Sequence, residues 1–268
     1  MKNKTFAVGD IHGSYKALKQ CFERSNFDFE NDKLICLGDI VDGYPEVKQC
    51  IDELMKVKNL VFLLGNHEEW VLDWMKYGEL KDIWTSQGGK KTLESFGYID
   101  KKRSFPDSYK GNIQQVQGVW DRIIYAEKPV GLDKYIKFFD NACLYHIENN
   151  NLFVHGGIDI NQKDIKKQKK ETLLWDRKLI QTAWEKSKLK YSKWKVKEYN
   201  KVFVGHTTTR IFKKAFEPIV EPVHAKNVID LDTGAGWGGK LTIMDIDTFE
   251  YWQSDYSREL YSGLPIEL

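Results

Sequence analysis

Arginine is scarce in this chain: of 41 basic residues only six are Arg, and the other 35 are Lys. Any planar, two-toothed clamp on an anionic ligand must come from Arg24, Arg103, Arg122, Arg177, Arg210 or Arg258. Proline is sparse as well, at 6 in 268 residues, and glycine stands at 20, which excludes collagen-like and low-complexity architectures. A hydrophobic fraction of 41% excludes disorder and supplies a full core. The four cysteines, Cys21, Cys36, Cys50 and Cys143, show no C-x-x-C spacing and read as free thiols, three of them at apolar positions. No apolar run approaches the roughly 18 residues of a membrane span. Met1-Lys2-Asn3-Lys4 leads into a short strand rather than an apolar leader. The expectation is a soluble, cytoplasmic protein without a membrane partner. A net charge of +2 removes any argument from global charge for nucleic-acid or membrane binding.

What is present is a repeated pattern: a short apolar run that stops at Gly, Asp, Asn or His. Thr5–Val8 ends at Gly9-Asp10, Leu34–Leu37 at Gly38-Asp39, and Leu60–Leu64 at Gly65-Asn66-His67. Leu152–Val154 ends at His155-Gly156-Gly157, Val202–Val204 at Gly205-His206, and Val228–Leu231 at Asp232-Thr233-Gly234; Leu241–Ile246 follows. Such runs read as buried strands. Between the first of them lie helical patterns, one behind Ser14 as cap with Tyr15, Leu18 and Phe22 on a face, one opened by Pro45 with Val47, Ile51, Leu54 and Val57 inward. The order predicts a layered α/β protein, one domain over 1–268, with an insertion at about 70–150. Within it Trp70, Trp74, Trp84 and Trp120 have helix-like spacing and read as core, and Asp100–Gly111 reads as a loop.

The polar residues fall where open α/β sheets place ligands, beyond the carboxyl ends of strands. Asp10 and His12 occupy alternate positions of Gly9-Asp10-Ile11-His12-Gly13 and point the same way. Asp39 and Asp42 follow the second run, Asn66 and His67 the third, and His155 and His206 end two more. Each motif alone is a common turn; five in this order are not. Four of the six histidines stand at strand ends beside glycine, and imidazole with carboxylate suits first-row divalent metals. Spacing groups these residues without dividing them between ions.

The set Gly9–Gly13, Gly38–Gly43, Gly65–Glu68, His155–Gly157 and Gly205-His206 resembles the phosphoprotein phosphatase (PPP) family of dinuclear metallophosphoesterases. The blocks Asp232–Thr242 and Trp84–Ser95 are similar to its bacterial and phage members. The resemblance implies a metallophosphatase-type β-sandwich of two mixed sheets flanked by helices, with a helical insertion. It implies two divalent metal ions, manganese first and iron, zinc or nickel as alternatives. Asp10, His12 and Asp39 would hold one, and Asp39, Asn66, His155 and His206 the other, with a bridging hydroxide as nucleophile. His67 would be the general acid, oriented by Asp42. The family often carries Arg where this chain has Gly43 and Leu64; Arg177, in Leu173-Leu174-Trp175-Asp176-Arg177, resembles a phosphate-contacting arginine of bacterial members, which implies that it contacts the substrate phosphate. The implied activity is phosphomonoester hydrolysis, first on phosphoserine or phosphothreonine in proteins. Hydrolysis of nucleotides, nucleic-acid ends or symmetrical dinucleoside tetraphosphates is the alternative. A non-catalytic metal- or phosphate-binding regulator would have shed ligands or His67, and none is missing.

From Lys163 to Lys201 there are 14 Lys/Arg against 5 Asp/Glu, a local +9 that leaves −7 for the remainder. Trp175, Trp184, Tyr191, Trp194 and Tyr199 interleave the lysines. The pattern reads as inward aromatics with a solvated lysine face, with a groove for an anionic or nucleic-acid partner as the alternative.

Overall fold

The computed structural model describes residues 3–98, 110–116, 119–125, 129–214 and 216–264. The first sheet takes β1 (Thr5–Val8), β2 (Lys33–Cys36) and β3 (Asn59–Phe62) as parallel neighbours. Two late strands, β14 (Thr242–Asp245) and β15 (Tyr251–Gln253), complete it antiparallel, in the order β15-β14-β1-β2-β3. The second sheet runs parallel through β8 (Asn151–Val154), β9 (Val202–Val204) and β13 (Val228–Asp230). Antiparallel edge strands β7 (Tyr145–Glu148) and β12 (Val223–Ala225) close it, in the order β12-β13-β9-β8-β7. Both sheets are mixed, as expected.

Their strands are apolar on both faces because each face meets a different layer. Ala7, Ile35, Phe153, Phe203, Ile229 and Met244 pack in a core between the sheets. Their strand neighbours Phe6, Val8, Leu34, Cys36 and Ile243 face outward under the helices α1 (Tyr15–Ser25), α2 (Val47–Leu54) and α3 (Asn66–Tyr77). Leu152, Val154, Val202, Val204 and Val228 do the same on the other side, beneath the helix Lys178–Ser187. The period of two thus divides one strand between two cores. Phe153 and Phe203, both fully buried, stack at 4.7 Å across β8 and β9.

Several expectations need correction. The stretch 70–150 is not only helical: β4 (Glu79–Lys81), β5 (Lys110–Val116) and β6 (Val119–Tyr125) form a three-stranded antiparallel sheet, β4-β6-β5. Lys110–Val116 has no continuous apolar run to announce a strand. The same stretch ends in β7, an edge of the second sheet, and its first helix already begins at Asn66. Trp70, Trp74 and Trp84 are core. The side chain of Trp120 and most of Asp100–Gly111 lie outside the described residues. Ser14 precedes α1, yet its buried hydroxyl makes no capping bond; its carbonyl accepts the Leu18 N–H instead. Pro45 stands two residues before α2 rather than at its first position. A further two-stranded hairpin joins β10 (Lys213–Lys214) to β11 (Glu217–Pro218). Among the described residues no helix is long and apolar enough to cross a membrane.

The inter-sheet core holds the two halves of the site together. Phe203→Ala should therefore destabilise the protein by about 3–5 kcal/mol, whereas Tyr191→Ala, at a side chain 85% exposed, should change stability by under about 0.5 kcal/mol. Urea unfolding of both variants measures this, and equal losses would contradict the layering.

Candidate metal centre and active site

The parallel strands of each sheet end at one edge, and their following loops converge there. Asp10 and His12 follow β1, Asp39 and Asp42 follow β2, and Asn66 and His67 open α3 behind β3. From the second sheet His155 follows β8, His206 follows β9, and Asp232 follows β13. All nine are buried. Four of them, His12, Asp39, Asp42 and His206, hold left-handed backbone at φ of 48°, 49°, 71° and 63°. Non-glycine residues adopt this region at a cost, and such strain collects at functional sites. The glycines beside them serve close approach: a Cβ on Gly65 would lie 2.1 Å from Asp39 Oδ1, and one on Gly205 2.2 Å from Asp10 Oδ1.

Asp39 is the junction. Its Oδ2 lies 3.3 Å from His155 Nε2, 3.7 Å from His12 Nε2 and 4.0 Å from His67 Nε2. Asn66 Oδ1 is 3.0 Å from His155 Nε2. Donor atoms of His12, Asp39 and His67 fall within 4.8 Å of one another, and so do those of Asp39, His155 and His206. His12 donates Nδ1–H to the Val41 carbonyl at 3.0 Å, and His155 to the Leu37 carbonyl at 2.8 Å. A backbone bond at Nδ1 fixes the ring and presents Nε2 inward, the arrangement of metal-ligating histidines. Asp10 Oδ2 accepts the His206 N–H at 2.9 Å, while Asp10 Oδ1 and His206 Nε2 are buried without a hydrogen-bond partner. Unpartnered buried polar atoms cost stability unless a ligand engages them.

The charges make the same point. Burial opposes ionisation of Asp39, but the His155, His67 and His12 rings outweigh it and hold its carboxyl well below the ordinary range. Burial also disfavours charge on His155, yet Asp39 overrides it and pushes the ring up to about 10. Burial, then the neighbouring Asp232, drives Asp10 well above its usual value, and Asp232 rises to about 6, chiefly by burial. Burial lowers His12 to about 4 and takes His206 well below the usual range. A pocket of carboxylates and imidazoles, with no Lys or Arg within 4.0 Å of Asp10, Asp39 or Asp232 among the described residues, has the donor set to hold metal ions.

His67 faces the same cleft from α3. Its Nδ1–H donates to Asp42 Oδ2 at 2.6 Å. Asp42 is in turn clamped by Trp84 Nε1–H, at 2.9 and 3.0 Å to its two oxygens, and by the Thr92 hydroxyl at 2.5 Å. Burial favours the neutral acid of Asp42 and the neutral ring of His67; Asp39 and the bond to Asp42 nevertheless raise the His67 pKa. Gly89 gives the indole its room, since a Cβ there would lie 2.5 Å from Trp84 Nε1. Arg177 lines the cleft and donates Nη1–H to the His206 carbonyl at 2.7 Å. Trp175, Gln87, Asp232 and Trp237 complete walls around a cavity of about 70 Å³. Of the aromatics in the lysine-rich segment, Trp184, Trp194 and Tyr199 pack inward on the second core, and Tyr191 is exposed.

Residues 4–220 match the Calcineurin-like phosphoesterase family. The chain belongs to that family. Its members are metal-using hydrolases of phosphate esters, and this chain is one of them. No curated protein matches it in sequence. Among solved structures it is similar to a candidate diadenosine tetraphosphatase, at 15% identity and TM-score 0.57 over 94% of this chain and 93% of that one. It is also similar to a metallophosphoesterase from Sphaerobacter thermophilus, at 14% identity and TM-score 0.53 over 98% and 95%. A serine/threonine phosphatase from Saccharomyces cerevisiae shares 12% identity and a TM-score of 0.51 over 95% and 80%. At these identities the likeness is one of fold.

Sequence reasoning gave no role in the site to three supports that lie within its own motifs: Glu68, Trp84 and Thr92. Glu68 is fully buried and accepts the N–H groups of Ile40 at 2.7 Å, Asp39 at 2.8 Å and Gly65 at 2.9 Å. It ties the loop after β2 to the start of α3, and its position next to His67 in a strand-end motif was the available signal. Glu68→Ala should leave these N–H groups without partners and cost about 3 kcal/mol or more; Glu68→Gln, which still accepts at one oxygen, should cost less. Chemical denaturation measures both, and a neutral Glu68→Ala would show that the loop is held otherwise.

Proposed function

We propose that this phosphoesterase is a serine/threonine protein phosphatase that works with two divalent metal ions, manganese first. Asp10, His12 and Asp39 would hold one ion, and Asp39, Asn66, His155 and His206 the other. The ions, when bound, polarise the phosphoryl oxygens and lower the pKa of a bound water to make the nucleophile. The chain's own residues do the rest. Arg177, fixed by its bond to the His206 carbonyl, binds the phosphoryl oxygens and offsets their charge. His67 gives the proton on Nε2 to the departing oxygen, while Asp42 holds Nδ1–H and stabilises the charged ring from which the transfer starts.

The observation that carries the reading is the 2.6 Å bond between His67 Nδ1 and Asp42 Oδ2, with Nε2 left facing the Asp39 carboxylate. A serine or threonine alkoxide is a poor leaving group and needs such an acid. A second reading, hydrolysis of a dinucleoside tetraphosphate or other nucleotide, is favoured by Trp175 and Trp237 in the cleft wall, where a base can stack, and by the fold likeness above.

Chelation should abolish hydrolysis and Mn²⁺ should restore it. His67→Asn should cost about 10²–10⁴-fold on alkyl phosphates and far less on aryl phosphates with acidic phenols. Equal losses on both would assign His67 to the metal or the nucleophile, and a wild-type enzyme that turns over dinucleoside tetraphosphates but no phosphopeptide would establish the second reading.

A further inference from the structure

Four arginine side chains are described, and their surroundings differ. Arg24 pairs with Asp255 at 2.8 Å, and Arg258 lies over the Tyr256 ring at 4.7 Å. Arg177 and Arg210 have no carboxylate within 4.0 Å among the described residues; each gives one Nη1–H to a backbone carbonyl, Arg177 to His206 and Arg210 to Trp237. Trp237 lines the cleft and is 48% exposed. Arg210 therefore stands one residue behind the cleft wall with its charge uncompensated.

Its approach is built in. Arg210 begins from the short helical turn Thr209–Ile211, just past His206, and its stem runs across Gly234. A Cβ at Gly234 would lie 2.6 Å from Arg210 Cδ, and Gly234 keeps a φ of +84° that favours glycine. Arg210 is thus held against the Gly234–Trp237 loop. A guanidinium with one N–H anchored and, among the described residues, no hydrogen bond from the others is a receptor for an oxyanion.

We propose that Arg210 is a specificity-determining residue that binds a second anionic group of the substrate, beyond the phosphoryl group being hydrolysed. The inference rests on the reading of this cleft as the phosphoester site, and it holds for either substrate. In a phosphopeptide the second anion is the carboxylate of a residue beside the phosphorylated one. In a nucleoside polyphosphate it is a neighbouring phosphate.

The test uses the metal-loaded enzyme and two substrate arms. One compares phosphoserine peptides with Glu or Ala beside the phosphorylated residue; the other compares a dinucleoside tetraphosphate with a nucleoside monophosphate. Each compound is also measured as a competitive inhibitor of p-nitrophenyl phosphate hydrolysis, which reads binding even without turnover. Wild type should favour the doubly anionic member of at least one arm by about 5–20-fold, carried mostly by KM or Ki. Arg210→Gln should remove that preference, and Arg210→Lys should keep part of it. A preference in Arg210→Gln equal to wild type, or none in wild type in either arm, overturns the proposal. Lack of peptide turnover with an intact preference in the nucleotide arm overturns only the protein-phosphatase reading.

Discussion

The site depends on one constraint, the burial of the Asp39 carboxylate among imidazoles drawn from both sheets. A buried anion is tolerated only with hydrogen-bonding or positively charged partners. Here His12 and His67 come from the first sheet and its helix, and His155 from the second. Each sheet brings its own apolar faces, but the sandwich aligns the strand ends so that these groups meet. The Phe153–Phe203 stack and the rest of the inter-sheet core fix that alignment. His155, whose pKa Asp39 raises, lies 3.3 Å from that carboxylate, while Asp10 Oδ1 and His206 Nε2 have no hydrogen-bond partner.

The backbone around this junction is held by residues outside the proposed ligand set. Glu68 draws in the N–H groups of the β2 loop, and Gly65 and Gly205 leave room that any Cβ would fill. Trp84 and Thr92, reached across the sequence from Asp42, keep that carboxylate aimed at His67. The left-handed backbone of His12, Asp39, Asp42 and His206 is the conformational cost of this arrangement, met by the dense hydrogen bonding around it.

Much of this was legible in the sequence. The strand ends were readable because apolar runs stop at Gly, Asp, Asn or His, and the division into two mixed sheets was what the family resemblance implied. The convergence of Asp10, His12, Asp39, Asn66, His67, His155 and His206 followed from the same stops. Less visible was whatever depends on pairing between distant segments. Lys110–Val116 forms a strand only against Val119–Tyr125, and its polar composition gave no sign. The clamp on Asp42 comes from residues 42 and 50 positions away. Arg177 was singled out because its motif resembles a phosphate-contacting arginine of bacterial members; Arg210 has no such motif, and only the fold brings it behind Trp237.

The central claim is that Asp39 is shared between two cation positions, one on each side. Elemental analysis of the purified chain after equilibrium dialysis against Mn²⁺ tests it directly. The account predicts two ions per chain, and fewer in Asp39→Asn than in a variant such as His12→Ala that removes a ligand of one ion alone. A wild-type stoichiometry of one, or an Asp39→Asn chain that still binds two, would contradict it.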